Sequence, residues 1–244
     1  MPSPDRADIF VTTRWTAVVT AGRSDTERAQ VAMAELCQTY WYPLYAYVRR
    51  RGHGAEDAED LTQGFFERLL RLESVKSVAR ENGKFRAFLL ASMNHYLADE
   101  WDKATAGKRS IQRTISLDAE RAENRYQCEP VDHMTPQRLF ERQWAMTLLD
   151  TVVRRLCAEY ADSGRGDLFM TLRLTITSGE NAQPYAVLAE KLKISEEAVR
   201  VAVHRLRKRY RVLLREEISQ TVTGEAGESA ITEELEYLRN ILSS

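Results

Sequence analysis

The six prolines of this 244-residue chain stand at positions 2, 4, 43, 130, 136 and 184. Proline removes a backbone donor and clashes with the helical turn before it. Its spacing here leaves three long tracts open to continuous helix. Each tract carries apolar residues at helical period, and none alternates convincingly at the period of a strand. The chain is therefore expected to be all-α. At ~100–200 residues per domain, its length suits one large domain or two small ones.

The first tract begins near Asp25, with Val31, Leu36, Tyr40, Leu44 and Val48 as a rough stripe and Pro43 as a kink or boundary. Gly52 and Gly54 end that element. Ala58, Leu61, Phe65 and Leu69 then mark one face of a second helix. Glu56, Asp57, Glu59 and Asp60 crowd its first turns, where the helix dipole favours negative charge. A third helix is expected over roughly 85–103, on Leu89, Met93 and Leu97.

Residues 114–135 show little apolar periodicity and end in Thr135-Pro136, an N-cap followed by proline at the first helical position. They read as a flexible linker between two small helical domains. The expected layout is an N-terminal extension at 1–24, a helical domain at 25–113, a linker at 114–136, a second domain at 137–218 and a C-terminal extension at 219–244. The second domain opens on Ala145, Leu149, Val152 and Leu156. Leu168, Phe169 and Leu172 mark a shorter helix, and Pro184 opens another.

Charge separates these parts. The overall −1 conceals seven glutamates and one arginine over 216–244, which leave +5 on residues 1–215. Between 198 and 215 stand Arg200, Arg205, Arg207, Lys208, Arg209, Arg211 and Arg215 with no acid among them. A basic segment of this kind is the footprint of a phosphate binder.

Residues 185–209 (YAVLAEKLKISEEAVRVAVHRLRKR) have the pattern of a helix-turn-helix. Leu188, Ala189 and Leu192 are expected to face Val199, Val203 and Leu206, with Ile194 burying the turn and Ser195 capping the second helix. Glu196, Arg200, His204 and Lys208 then fall on its outer face, where a major groove could be read, while Arg207, Arg209 and Arg211 hold phosphates. Lys193 stands where such turns often place glycine, and positive φ there costs on the order of 1 kcal/mol. In the first domain Phe85, Phe88, Tyr96 and Trp101 interleave with Lys84, Arg86, Asn94, Lys103 and Lys108. Aromatics beside basic groups can stack unpaired bases and hold their backbone; aromatics at helical spacing are equally the mark of a core.

With these motifs in order, the chain resembles the RNA polymerase sigma factors of the extracytoplasmic-function group over roughly residues 10–218. The run 57–66 (DAEDLTQGFF) is similar to that family's second conserved region. Arg86, Ala87, Phe88, Leu89 and Leu90, followed by Asn94 and Asp99, resemble its promoter-melting and −10-reading helix. Residues 185–209 resemble its fourth region. Thr12-Thr13-Arg14-Trp15 and the run 40–45 (YWYPLY) are similar to a subgroup with a short N-terminal extension.

The resemblance implies a transcription initiation factor that binds core RNA polymerase and directs it to promoters. Asp57, Asp60 and Gln63 would dock on the β′ clamp. Lys84, Phe85, Arg86, Phe88, Asn94, Asp99 and Lys103 would engage the melted −10 strand. Ser195, Glu196, Arg200, Val201, His204, Arg205 and Lys208 would read the −35 duplex while the second domain touches the β flap. Asp102 departs from the arginine usual after the reading helix, Lys193 departs in the turn, and the acidic extension lies outside the family's minimal pattern. Ile231, Leu235, Leu238 and Leu242 give that extension an amphipathic helix. Control by an anti-sigma factor, or autoinhibition by residues 220–244, is compatible with this layout.

Other classes fit less well. The acids at 56–60 have no second acidic motif, there is no phosphate-cradling glycine loop, and His53, His95, His133 and His204 stand singly. No enzyme, cofactor or metal is expected. Cys37, Cys128 and Cys157 contain no CxxC pair, and no apolar run approaches the ~20 residues of a membrane span, which suits a reducing cytoplasm. The principal alternative is a stand-alone helix-turn-helix regulator that does not dock on polymerase; it leaves the 57–66 run and the aromatic helix without a role.

Overall fold

The computed structural model describes residues 26–71, 84–106, 117–129, 134–176, 183–222 and 227–243. Among them the regular elements are α-helices, one 3-10 helix at Arg173–Ile176 and an isolated antiparallel bridge between Lys84 and Val222. None of these helices is long and apolar enough to cross a membrane. The chain divides into two compact units, Met1–Gln143 with Ser219–Ala230, and Trp144–Ile218 with Ile231–Ser244. The N-terminal motif at 12–15 and the basic residues Lys108, Arg109 and Arg113 lie outside the described residues.

In the first unit, α1 (Thr26–Arg50) departs from helical geometry at Tyr40, where φ is −108° and ψ is 16°. That kink stands three residues before Pro43, whose ring displaces the carbonyl of the turn behind it. Leu44, Tyr45, Ala46, Tyr47 and Val48 are then buried in succession, whereas Val31 is 55% exposed. The second helix, α2 (Ala55–Arg71), buries Ala58, Phe65, Phe66 and Leu69, and buried Thr62 donates to the Ala58 carbonyl at 2.6 Å. The third, α3 (Phe85–Ala106), inserts Phe85, Phe88, Leu89, Met93 and Leu97. Each of these large side chains contributes ~1.5–3 kcal/mol relative to exposure.

The expected linker contains a helix. α4 (Leu117–Gln127) docks on α1 through polar groups rather than an apolar stripe. Glu123 accepts from Arg49 Nε at 2.9 Å, from Arg49 Nη2 at 2.8 Å and from Tyr45 Oη at 2.5 Å. The Arg125 guanidinium lies 3.8 Å from the centre of the Tyr42 ring, and Tyr42 Oη donates to Glu129 at 3.2 Å. Among the described side chains of this helix Ala122 is the buried apolar one, and its polar contacts carry no apolar spacing.

α5 (Pro136–Asp162) begins at the expected cap, with the Arg138 amide donating to Thr135 Oγ1 at 3.2 Å. The division between units falls inside this helix, after Gln143. In the second unit, Trp144, Leu148, Val152 and Leu156 form the buried face of α5. The short helix α6 (Gly166–Leu172) adds Phe169 and Leu172. Next come α7 (Tyr185–Leu192), with Leu188 and Ala189 buried, and α8 (Glu196–Ser219), with Val199, Val203, Leu206, Leu213 and Ile218 buried. The final helix, α9 (Gly227–Ser243), buries Glu234 and Leu238 and leaves Leu242 38% exposed. Its inner face is therefore rotated from the expected stripe.

Candidate nucleic-acid interface

The turn between α7 and α8 is built by Lys193, the single described non-glycine residue with positive φ (55°, ψ 40°). The Ile194 amide donates to the Ala189 carbonyl at 3.1 Å and the Lys193 amide to that of Glu190 at 3.3 Å, closing the end of α7. Ser195 Oγ accepts the Ala198 amide at 3.2 Å, so α8 starts on a serine cap with Glu196 and Glu197 in its first turn. Ile194 does not bury the turn; it is 40% exposed, because Leu188 and Ala189 already fill the inner side.

With Val199, Val203 and Leu206 inward, the 3.6-residue period sends Glu196, Arg200, His204 and Lys208 outward, flanked by Val201 and Arg205. All six are exposed, as is Ser195. Arg200 makes an exposed 3.9 Å ion pair with Glu197, and Arg211 extends the exposed basic face. Four cations on one side of a helix can neutralise phosphates while neighbouring side chains reach base edges.

Two arginines expected on phosphates are engaged inside the unit instead. Arg207 donates to the Thr175 carbonyl from Nε at 2.9 Å and Nη2 at 2.7 Å. It thereby satisfies a carbonyl at the end of the 3-10 helix. Arg209 forms a two-pronged pair with Glu159 at 2.8 and 2.6 Å and a further contact to Glu216 at 3.4 Å. The Arg209 hydrogen bonds hold the Glu159 carboxyl below the usual carboxylate range. Arg155 ties Glu217 and Glu216 to α5 at 2.5 and 2.8 Å. Glu216 and Glu217, two of the seven glutamates counted over 216–244, therefore belong to this unit's own ion network.

In the first unit, α2 turns Asp57 and Gln63 fully outward and Asp60 partly so, opposite the face that buries Ala58, Phe65 and Leu69. Gln63 Nε2 donates to Glu67 at 3.0 Å. A recess of about 200 Å³ beside the start of α2 is lined by Glu56, Glu59, Glu120 and Glu123, together with Tyr45, Ala55 and Asn124. Its lining surface is mainly apolar, and the Glu123 carboxylate is taken up by Arg49 and Tyr45.

The residues expected on a melted strand are not gathered into an open stacking platform. Phe85 and Phe88 are 0% and 1% exposed, with their rings stacked at 6.2 Å on each other. Phe85 extends the 89–93–97 stripe by one turn and Phe88 widens it beside Leu89, so both belong to the core. Tyr96 packs edge-on against Phe65 at 5.8 Å, and burial pushes its hydroxyl up to about 12. Asn94 Oδ1 accepts from Tyr47 Oη at 2.6 Å and Arg51 Nη1 at 2.7 Å. Arg86 is largely covered and stands 3.9 Å from Glu141, Asp99 pairs with Arg68 at 2.7 Å, and Lys103 with Glu100 at 2.8 Å. Lys84 is half-buried. Trp101 is the exposed aromatic of the helix, at 70%. Residues 72–83 lie outside the described residues.

Sequence reading did not single out Arg51, Arg68 or Tyr47, which hold Asn94 and Asp99; their partners lie tens of residues away, and no local pattern marks them. No family model, curated protein or solved structure matches the chain.

Proposed function

We propose that this protein is a promoter-recognition subunit that joins core RNA polymerase to DNA, as its resemblance to the extracytoplasmic-function sigma factors implies. One observation carries the reading: a single chain displays an exposed acidic helix face and an exposed basic helix face in separate compact units. Asp57, Asp60 and Gln63 supply the first, with exposed Glu56 beside them. Arg200, Val201, His204, Arg205 and Lys208 supply the second, on α8 of a helix-turn-helix formed by α7 and α8. The acidic face suits the β′ clamp and the basic face a −35 duplex in its major groove.

The −10 contacts are proposed on Lys84, Arg86, Asn94, Asp99 and Lys103, with Trp101 as the aromatic able to stack a base. Phe85 and Phe88 serve this site from beneath, as the packing that fixes α3.

The test is binding to purified bacterial core RNA polymerase, beside Asp57→Ala/Asp60→Ala. Tight binding lost in the double variant, with a helical signal and melting temperature matching wild type, is the expected result. Binding to duplex DNA without binding to core enzyme would replace this reading with a stand-alone regulator.

A further inference from the structure

Within the first unit, the chain that leaves α8 is paired to the start of α3. The Phe85 amide donates to the Thr221 carbonyl at 2.9 Å, and Lys84 stands opposite Val222 in antiparallel register. Thr221 and Val222 are 3% and 8% exposed, so this segment is packed down rather than lying loosely on the surface.

We propose that residues 220–222 form an autoinhibitory strap that must detach from the start of α3 before the single-stranded promoter segment can bind there. The inference rests on the promoter reading above. It locates the control in a short paired segment rather than in α9 covering α8.

Three features support a strap over a permanent strand. The bridge is isolated, one residue pair with no ladder continuing it among the described residues, so it opens at far smaller cost than a sheet. It occupies backbone beside Lys84 and Arg86, the first two cations of the proposed −10 surface. The Phe85 amide, one of the donors a helix leaves unpaired at its start, is already taken by Thr221. A surface closed most of the time binds with an affinity reduced by its open fraction.

The hydrogen bond from residue 85 to residue 221 makes Lys84 and Val222 a non-hydrogen-bonded antiparallel pair, whose Cα atoms lie about 4.5 Å apart. A disulfide fits that spacing. The experiment uses full-length Lys84→Cys/Val222→Cys with Cys128 and Cys157 changed to Ser. Cys37 can remain, because it is buried and burial pushes its thiol up to about 12. Forked DNA is first selected by the wild-type protein with core polymerase from a pool randomised in its single-stranded segment. The oxidised form is then compared with its own reduced form, which lacks the Lys84 cation equally, for binding to that DNA as core complexes at concentrations where the reduced form binds.

The expected result is binding about tenfold weaker when oxidised and restored by reductant, with equal affinity of both forms for core polymerase. Full-length Val222→Asp, which opens the strap without a new bond, is expected to bind the fork more tightly than wild type. Equal fork binding by the oxidised and reduced forms, with core binding intact, overturns the strap and leaves the promoter reading standing. That outcome would make the pairing a simple cap on α3. Failure of the wild type to bind core polymerase overturns the promoter reading and the strap with it.

Discussion

A Cβ placed on Gly64 would lie 2.5 Å from the Tyr96 hydroxyl oxygen and 3.6 Å from the ring carbon that bears it. Gly64 sits in the middle of α2, where helix propensity alone favours alanine by about 1 kcal/mol. The close approach of Tyr96 outweighs that preference, because the tyrosine is held by Phe65 at 5.8 Å and by the Arg68 guanidinium at 5.8 Å. Overpacking of this kind costs ~1–3 kcal/mol. Gly64→Ala is therefore expected to lower stability in urea denaturation. The same substitution in a Tyr96→Phe background removes the 2.5 Å contact and leaves the 3.6 Å one, so it should be neutral or stabilising. Equal losses in both backgrounds would exclude the steric account.

Lys193 holds the left-handed turn that separates α7 from α8, with φ 55°. Glycine adopts that conformation without a Cβ penalty but costs more entropy in folding, so the two effects partly offset. Lys193→Gly is expected to stabilise the protein by about 0.5–1 kcal/mol, since the left-handed penalty is ~1–2 kcal/mol. Lys193→Val, β-branched, should destabilise it. Thermal melts of the two variants on either side of wild type check the sign.

The docking of α4 on α1 has a pH dependence with a definite sign. Hydrogen bonds from Arg49 hold the Glu123 carboxyl below the usual carboxylate range, with Tyr45 acting in the same direction. Such a group contributes stability that is present above its unfolded value, about 4.3, and lost as pH falls through the lower folded value. Glu123→Gln should cost about 1–3 kcal/mol at neutral pH, as for hydrogen bonds to a charged group. The gap between variant and wild type should close progressively below about pH 4. Denaturation curves from pH 7 to pH 3 would show it; a gap that persists at the acid end would rule out the carboxylate as its source.

Proline placement and apolar period made the helices legible wherever a helix docks by an apolar face. The Ala58–Phe65–Leu69 stripe, the cap at Thr135 and Pro136, the Ser195 cap and the inward Val199–Val203–Leu206 face of α8 all follow from spacing. α4 did not, because it docks through Glu123 and Arg125, and a charged residue looks the same in sequence whether solvated or paired. Phe85 and Phe88 show the converse ambiguity. An aromatic one turn before an apolar stripe and beside cations suits a base platform or a core equally, and only burial separates the two.

Arg207 and Lys208 carry that ambiguity into the proposed DNA interface, since they are adjacent in sequence and opposite in role. Arg207 is turned inward onto the Thr175 carbonyl at 2.7 and 2.9 Å, whereas Lys208 is exposed beside His204 and Arg205. Removing Lys208 should take away one phosphate contact and leave the fold unaltered. Lys208→Ala is thus expected to weaken binding across duplex sequences and reduce the slope of log affinity against log salt by about 1. Removing Arg207 leaves a buried carbonyl region without its two donors, a loss of about 1–3 kcal/mol in stability. Its effect on the salt slope should be close to zero once binding is measured where the variant is folded. Salt titrations and denaturation curves on the two alanine variants separate these outcomes. A salt slope lowered equally by both would place Arg207 on the DNA and require its internal hydrogen bonds to break on binding.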